Sequence, residues 1–383
     1  MHSLTTTTPR GLMVDDLIWV DPAQIASVGP GVSGWNGAPR PVEEWDFFLA
    51  VRSVLDGGKL EETPYFNRMV AALQNNAVLH HEPASPEEFA ENETRILQRL
   101  ARSMREHGYQ TGQGKHLLDE VGVIIDATGR LLKSAGGSHR FAVAALLGLP
   151  KVLAVVKSRD PAWVAILDRM QGIAQASVQG LFQQLPHPDL GRMRAKHPMR
   201  RAQRIVEAAG PGHQTMIDIG ANYGQICHAF EAAGYSCLAI ENDADAQWVL
   251  NTFKIALGCR FDIEGRSALD LPRLSADVVV AMNIFRHLLR QVGMAAFDEW
   301  LSRIDCQVLV MAMPRWPEET KYTLRDWNGT DLEFAEHVAN RLNLVVDAVM
   351  EDGPDGRGQS RRAYVLRRPG ADSRQSTRCA GQL

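Results

Sequence analysis

TMIDIGANYGQICHAFEAAGYSCLAIEND, residues 215–243, decides how the whole chain reads. An apolar run (Met216, Ile217, Ile219) leads into Asp218-Ile-Gly220-Ala221-Asn222-Tyr-Gly224. A helical pattern then runs to Gly234, and a second apolar run ends at Glu241. Strand, glycine loop, helix, strand and acid predict a βαβ unit. In such a unit the loop glycines let the backbone approach a ligand closely. A carboxylate at the tip of the second strand, about 20 residues after the loop, accepts ribose hydroxyls. The signal is for a cofactor that contains a nucleoside.

The loop spacing separates the classes of such cofactors. A dinucleotide site wants Gly-x-Gly-x-x-Gly opening the helix, so that pyrophosphate sits on the helix N-terminus. Here the pattern is Asp218-x-Gly220-x-x-x-Gly224, with Asn222 at the second glycine position and an acid two residues before the first. That acid faces a cationic amino-acid moiety favourably and repels a pyrophosphate. The stretch resembles motif I of the class I S-adenosylmethionine-dependent methyltransferases, in its Asp-x-Gly-Ala-Asn-x-Gly variant.

The chain behind the loop keeps alternating. Residues 244–257 read as helix, 260–263 as a third strand and 277–282 as a fourth, continuous in Val as a strand buried on both faces should be. Residues 294–304 are amphipathic, 307–312 read as a fifth strand, 331–342 as helix, 345–351 as a sixth strand and 362–366 as a last one. Alternating strands and helices predict a parallel doubly wound sheet. The last two strands, with no helix between them, read as a hairpin-like pair. An antiparallel seventh strand at one edge is a hallmark of the same family, so the resemblance extends over residues 199–368. It implies a seven-stranded α/β methyltransferase domain of Rossmann-like type with S-adenosylmethionine as cofactor. By position it implies that Gly220, Ala221, Asn222 and Gly224 wrap the methionine part and that Asp218 helps fix the amino group. It implies likewise that Glu241 holds the ribose with Asn242 beside it, and that Ser267, Ala268 or Leu269 meets the adenine.

Methyl transfer needs positioning and, where the acceptor loses a proton, a base. Ligands in such sheets sit beyond the carboxyl ends of the strands. The segment Asn283-Ile-Phe-Arg286-His287-Leu-Leu289 follows the fourth strand and resembles the family's post-strand Asn-x-x-x-His segment, with Arg286 where many relatives carry a first histidine. His287 is the candidate base, and Arg286 and Asn283 are candidate acceptor-orienting residues. Met313-Pro-Arg-Trp-Pro317 is a candidate wall of the acceptor pocket. A DNA amino-methylating enzyme needs Asn/Asp-Pro-Pro-aromatic after the fourth strand, and a cytosine-ring enzyme needs a Pro-Cys nucleophile. Neither is present. The expected acceptor is a small molecule or a glycan-like compound.

The first half has a different character. Residues 1–13 read as a disordered leader, and 42–60, 63–74 and 85–107 as amphipathic helices. Val121–Ile125 reads as a strand, Asp126–Gly129 as a turn and Lys151–Val156 as a strand after the helix that opens at Gly136-Gly-Ser-His139-Arg140. Gly137-x-His139-Arg140 followed by a Val-rich strand resembles the ParB/sulfiredoxin-like domain, which implies an N-terminal α+β domain over 14–165 with Gly137, His139 and Arg140 binding nucleotide phosphate. The residues leave open a second reading, in which Arg140 pairs with a carboxylate and the unit is a packing module. A nucleotide-binding or phosphotransfer protein whose other half only senses cofactor is therefore the alternative function. Residues 166–198 read as a helical linker, 200–209 as a helix and 369–383 as a disordered tail, with a basic run (Arg192, Arg194, Lys196, Arg200, Arg201, Arg204) across the first two.

Composition narrows the partners. The 383 residues carry a net charge of −4 and 22% charged side chains, which makes no electrostatic case for nucleic-acid or membrane surfaces. Five cysteines without a Cys-x-x-Cys pair suggest neither zinc nor a disulfide framework. No targeting or membrane-spanning segment is recognisable, so a cytoplasmic protein is expected. Nothing in the sequence sets the oligomeric state.

Overall fold

The computed structural model describes residues 16–29, 32, 38–75, 83, 85–111, 120–313, 327, 329–354 and 360–370. The chain divides into two compact units, Met1–Arg169 and Met170–Leu383. The expected leader and residues 371–383 of the expected tail lie outside the described residues.

In the first unit the elements are β1 (Leu17–Val20), β2 (Ser27–Val28), β3 (Arg40–Pro41), α1 (Asp46–Leu55), α2 (Pro64–Gln74), α3 (Pro86–His107), β4 (Val121–Ile125), β5 (Leu131–Lys133), α4 (Ser138–Leu146), β6 (Val152–Arg159) and α5 (Pro161–Gln175), the last running through the boundary. The strands form one mixed sheet in the order β1-β6-β4-β5-β2-β3. Local chemistry sets the ends. The Ser85 hydroxyl caps α3 by accepting the Glu88 N–H, and Gly108 stops it at φ 69°. Asp126 Oδ1 accepts from the N–H groups of Thr128 and Arg130, which folds β4 back onto β5. The helix expected over 42–60 is shorter, because Trp45 is extended (φ −75°, ψ 119°) and separates a 3-10 turn from α1. Its ring is buried, and the extended backbone there is what turns it inward.

The second unit runs β7 (Leu181–Gln183), β8 (Ala195–His197), α6 (Met199–Ala209), β9 (Thr215–Ile219), α7 (Gln225–Ala232), β10 (Ser236–Ile240), α8 (Ala244–Ala256), β11 (Asp262–Glu264), β12 (Leu274–Ser275), β13 (Val278–Met282), α9 (Phe285–Val292), α10 (Met294–Leu301), β14 (Ile304–Asp305), β15 (Val308–Ala312), α11 (Asp331–Leu342), β16 (Val345–Pro354) and β17 (Ser360–Arg367). Seven strands form a sheet in the order β11-β10-β9-β13-β15-β17-β16. The first five are mutually parallel, and β17 runs antiparallel between β15 and β16.

Strand alternation fills both faces of this sheet. Met216, Val278, Val280, Val308, Val310 and Val365 pack with α6 and α7 on one side. Ile217, Ile219, Val279, Leu309, Met311 and Leu366 pack with α9, α10 and α11 on the other. Burial on both faces is why these strands read as unbroken apolar runs. The order reverses between β9 and β13, and the loops leaving their carboxyl ends meet there, where open α/β sheets bind ligands. The stretch read as linker is structured in its second part, since β7 and β8 pair in parallel.

Candidate functional site

The glycine loop is held in one conformation by the strand beside it. Gly220 and Ala221 both donate to Ile240 O, at 2.9 and 3.0 Å, and Gly220, Asn222 and Gly224 all sit at positive φ (74°, 53° and 81°). Asn222 is the residue outside glycine that tolerates this region best. A Cβ on Gly220 would lie 2.9 Å from the Ile284 side chain, so the segment leaving β13 packs directly against the loop. Glu241, nearly buried, bridges the two ends of the site. Its Oε2 accepts the Asn222 N–H at 2.8 Å and its Oε1 accepts the Asp243 N–H at 2.8 Å. Each carboxylate oxygen keeps a second acceptor position for a ligand hydroxyl.

Asp218 lies beneath this loop with 1% exposure, and its Oδ2 has no hydrogen-bond partner among the described residues. Burial first, and the negative charge of Glu241 second, push its pKa from 3.8 up to about 7, while Arg201 opposes them. Arg201 is itself buried and bound through Nε and Nη2 to both oxygens of Asp352, at 2.5 and 3.1 Å. Its charge is therefore shared. Arg204 donates to Glu351 O, and Lys196 lies 5.1 Å from the Phe182 ring centre. Three cations of the basic run thus have contacts within the fold.

The other cofactor candidates fall around the same edge. Ala221 is buried, Asn242 is exposed at the β10 tip, and Ser267 caps a 3-10 turn over Ala268–Asp270 by accepting the Leu269 N–H. Trp300 fixes that turn by donating its indole N–H to Ala268 O at 2.8 Å. Past β13, Asn283 adopts φ 64° and donates to Ala312 O, tying the segment to the end of β15. Arg286 Nε donates to His287 Nε2 at 3.2 Å. Partial burial, then Arg286 and Arg290, hold the His287 pKa below its ordinary value. The imidazole is thus neutral near pH 7, with its basic nitrogen engaged. Met313 is buried; residues 314–317 of the expected pocket wall lie outside the described residues.

Two residues belong to this site that the sequence reading passes over. Gln183, on β7 and buried, accepts at Oε1 from the N–H groups of Tyr223 (3.0 Å) and Gln225 (3.3 Å). Gln225 returns its Nε2 to Gln184 O (2.9 Å) and His197 O (2.8 Å). The only local sequence signal is a pair of glutamines in an otherwise apolar and proline-rich stretch.

In the first unit, Gly136 and Gly137 open α4 at φ 94° and 61°, and a Cβ on Gly137 would come within 2.7 Å of the Glu120 backbone. His139 Nε2 meets Glu93 at 2.7 Å, and Arg140 pairs with Glu120 at 3.0 Å, both carboxylates being buried. Tyr109 also donates to Glu120. The two side chains expected to bind phosphate are thus engaged by carboxylates, in keeping with the second reading of this stretch. Lys133, fully buried, donates to Ser134 O and Gly136 O. Burial, then Lys157, push its pKa down to about 7.

No protein-family model and no curated protein matches the chain. Among solved structures, the chain is similar to magnesium protoporphyrin IX methyltransferase from Synechocystis PCC 6803 with bound SAM, at 12% identity, TM-score 0.35, over 44% of this chain and 79% of that one. It is similar to WbdD at 12% identity, TM-score 0.40, over 51% of this chain and 46% of that one. It is similar to TehB from Haemophilus influenzae at 11% identity, TM-score 0.35, over 44% and 61%. The chain thus spans less than half of WbdD. Among the described residues no helix is long and apolar enough to cross a membrane, and no group of three or more His, Cys, Asp or Glu side chains could hold a metal ion.

Proposed function

We propose that the second unit is an S-adenosylmethionine-dependent methyltransferase acting on a small-molecule or glycan-like acceptor. The observation that carries this reading is the buried acid Asp218, without a partner at Oδ2, beneath a loop of three left-handed residues that Glu241 closes. The donor set fits a cationic nucleoside. The orphaned Asp218 Oδ2 and Asn222 Oδ1 want a donor, and Glu241 keeps acceptor positions for ribose hydroxyls. A dinucleotide pyrophosphate would meet two acids instead.

When bound, S-adenosylmethionine supplies an electrophilic methyl group on a sulfonium. Asp218 attracts the cationic end, Glu241 with Asn242 beside it holds the ribose, and Ser267 to Leu269 border the base. On the acceptor side, Asn283 and Ile284 set the wall against the loop. Arg286 is placed to orient an acceptor, and His287 takes a proton at Nε2 once Arg286 leaves that nitrogen. The methyltransferase domain, assigned above to 199–368, includes β7 and β8 because Gln183 and His197 bond into its loop. The first unit is read as a ParB-like accessory domain, supported by the glycine-initiated α4 between β5 and β6.

Calorimetry of the whole chain with S-adenosylmethionine tests the reading. Binding in the micromolar range, abolished by Glu241→Ala, is expected. Absence of binding by the unmodified chain overturns it.

A further inference from the structure

The loop of the candidate site opens α7, and two N–H groups at that end already have an acceptor. Gly224 is its N-cap residue and carries no side chain, so the helix lacks an acceptor of its own for the N–H groups of its first turn. Gln183 supplies one from about 40 residues upstream. A single amide oxygen accepts from the N–H of Tyr223, inside the loop, and the N–H of Gln225, the first helical residue. Gln225 answers with two bonds to the carbonyls of Gln184 and His197. The pair forms a reciprocal cap, like a capping box but built from distant segments. Gln183 has 4% exposure and Gln225 is fully buried, so water does not substitute for either partner.

Two consequences follow from that placement. The Gly220–Gly224 turn is fixed from both sides, by Glu241 at Asn222 and by Gln183 at Tyr223 and Gln225. The N–H groups of Tyr223 and Gln225 at that helix end are also occupied by a neutral amide oxygen, which brings no charge beside Asp218. We propose that Gln183 is a positioning residue of the cofactor site: as the cap in trans of α7, it preforms the glycine loop for a cationic nucleoside. This rests on the reading of the loop as the cofactor cradle.

The test uses the whole chain and S-adenosylhomocysteine as probe, measured by calorimetry. Gln183→Leu keeps the size and removes the acceptor; Gln183→Glu keeps the acceptor. Loss of two hydrogen bonds corresponds to about a ten- to hundredfold weaker affinity for Gln183→Leu, with Gln183→Glu within about threefold of the unmodified chain. Equal affinity for Gln183→Leu overturns the proposal. So does an equal loss in Gln183→Glu, which would assign the effect to packing. If the unmodified chain binds no S-adenosylhomocysteine, the reading of the site fails. The cofactor role then falls with it and the cap itself is read by amide exchange, which also serves if Gln183→Leu does not fold. Slow exchange of the Tyr223 and Gln225 amides in the ligand-free chain supports a preformed cap, and exchange at random-coil rates overturns it.

Discussion

Asp218 makes cofactor affinity depend on pH in a way that its burial and its neighbours determine. Its carboxyl, at 1% exposure, titrates near 7 in the ligand-free protein because burial and Glu241 outweigh Arg201. A cationic ligand set against it favours the charged form, so binding releases the proton. Between pH 5 and 7 the charged fraction of the free protein rises from about 1% to about half, which is about fiftyfold in affinity, or about 2.3 kcal/mol. Over that interval an α-amino group with a pKa near 7.7–8.0 stays protonated, so the ligand contributes little of its own. Titration calorimetry with S-adenosylmethionine at pH 5, 6 and 7 reads this directly, and Asp218→Asn is expected to flatten the profile. Stability moves in the opposite sense. A folded pKa raised above 3.8 gives a contribution that is complete below 3.8 and is lost as pH rises through 7. In ligand-free protein, Asp218→Asn therefore gains thermal stability over the unmodified chain as pH goes from 4 to 7. An affinity that is flat with pH in the unmodified chain, or a slope that survives in Asp218→Asn, refutes the assignment.

Other expectations follow from single contacts. Gly220→Val places a branched side chain at φ 74° with its Cβ 2.9 Å from Ile284. It should cost about 1–3 kcal/mol in thermal unfolding and lower affinity for S-adenosylmethionine at least about tenfold. Glu241→Ala orphans the N–H groups of Asn222 and Asp243 as well as removing the proposed ribose contact; calorimetry should show a loss of about a hundredfold or more. Arg140→Ala removes the cation paired with the buried Glu120 carboxylate, and chemical denaturation should show a loss of about 3–5 kcal/mol. Gln183→Leu, described above, should leave the melting midpoint of the first unit unchanged.

The central βαβ stretch is legible from the sequence because its cause is local. Strand, left-handed glycines, helix and acid all fall within residues 215–243, and the alternation behind them predicts the parallel sheet but not that the antiparallel strand β17 lies inside it rather than at the edge. The terminal pair is legible for the same reason, since no helix separates β16 from β17. What stays hidden is non-local. Gln183 acts on Tyr223 and Gln225 across about 40 residues through a side chain that sequence pattern treats as ordinary polar surface, within a proline-rich stretch that reads as linker. His139 and Arg140 show the same limit. Their glycine-opened helix is visible, but Glu93 and Glu120, which engage them, lie 46 and 20 residues earlier. Which of two cations meets a phosphate and which meets a carboxylate is a question of tertiary pairing.

The insertion of β17 between β15 and β16 also bears on how the chain is made. During synthesis β16 emerges before the strand it pairs with, so neither β15 nor β16 has its lateral partner until residues 360–367 leave the ribosome. A polypeptide interrupted just before Ser360 leaves β15 with an open edge and β16 without a partner strand, and open edges recruit other chains. Nonsense or frameshift lesions that remove residues 360–367 should therefore yield aggregates rather than a shortened folded chain. The final strand acts as a late quality gate on everything folded before it.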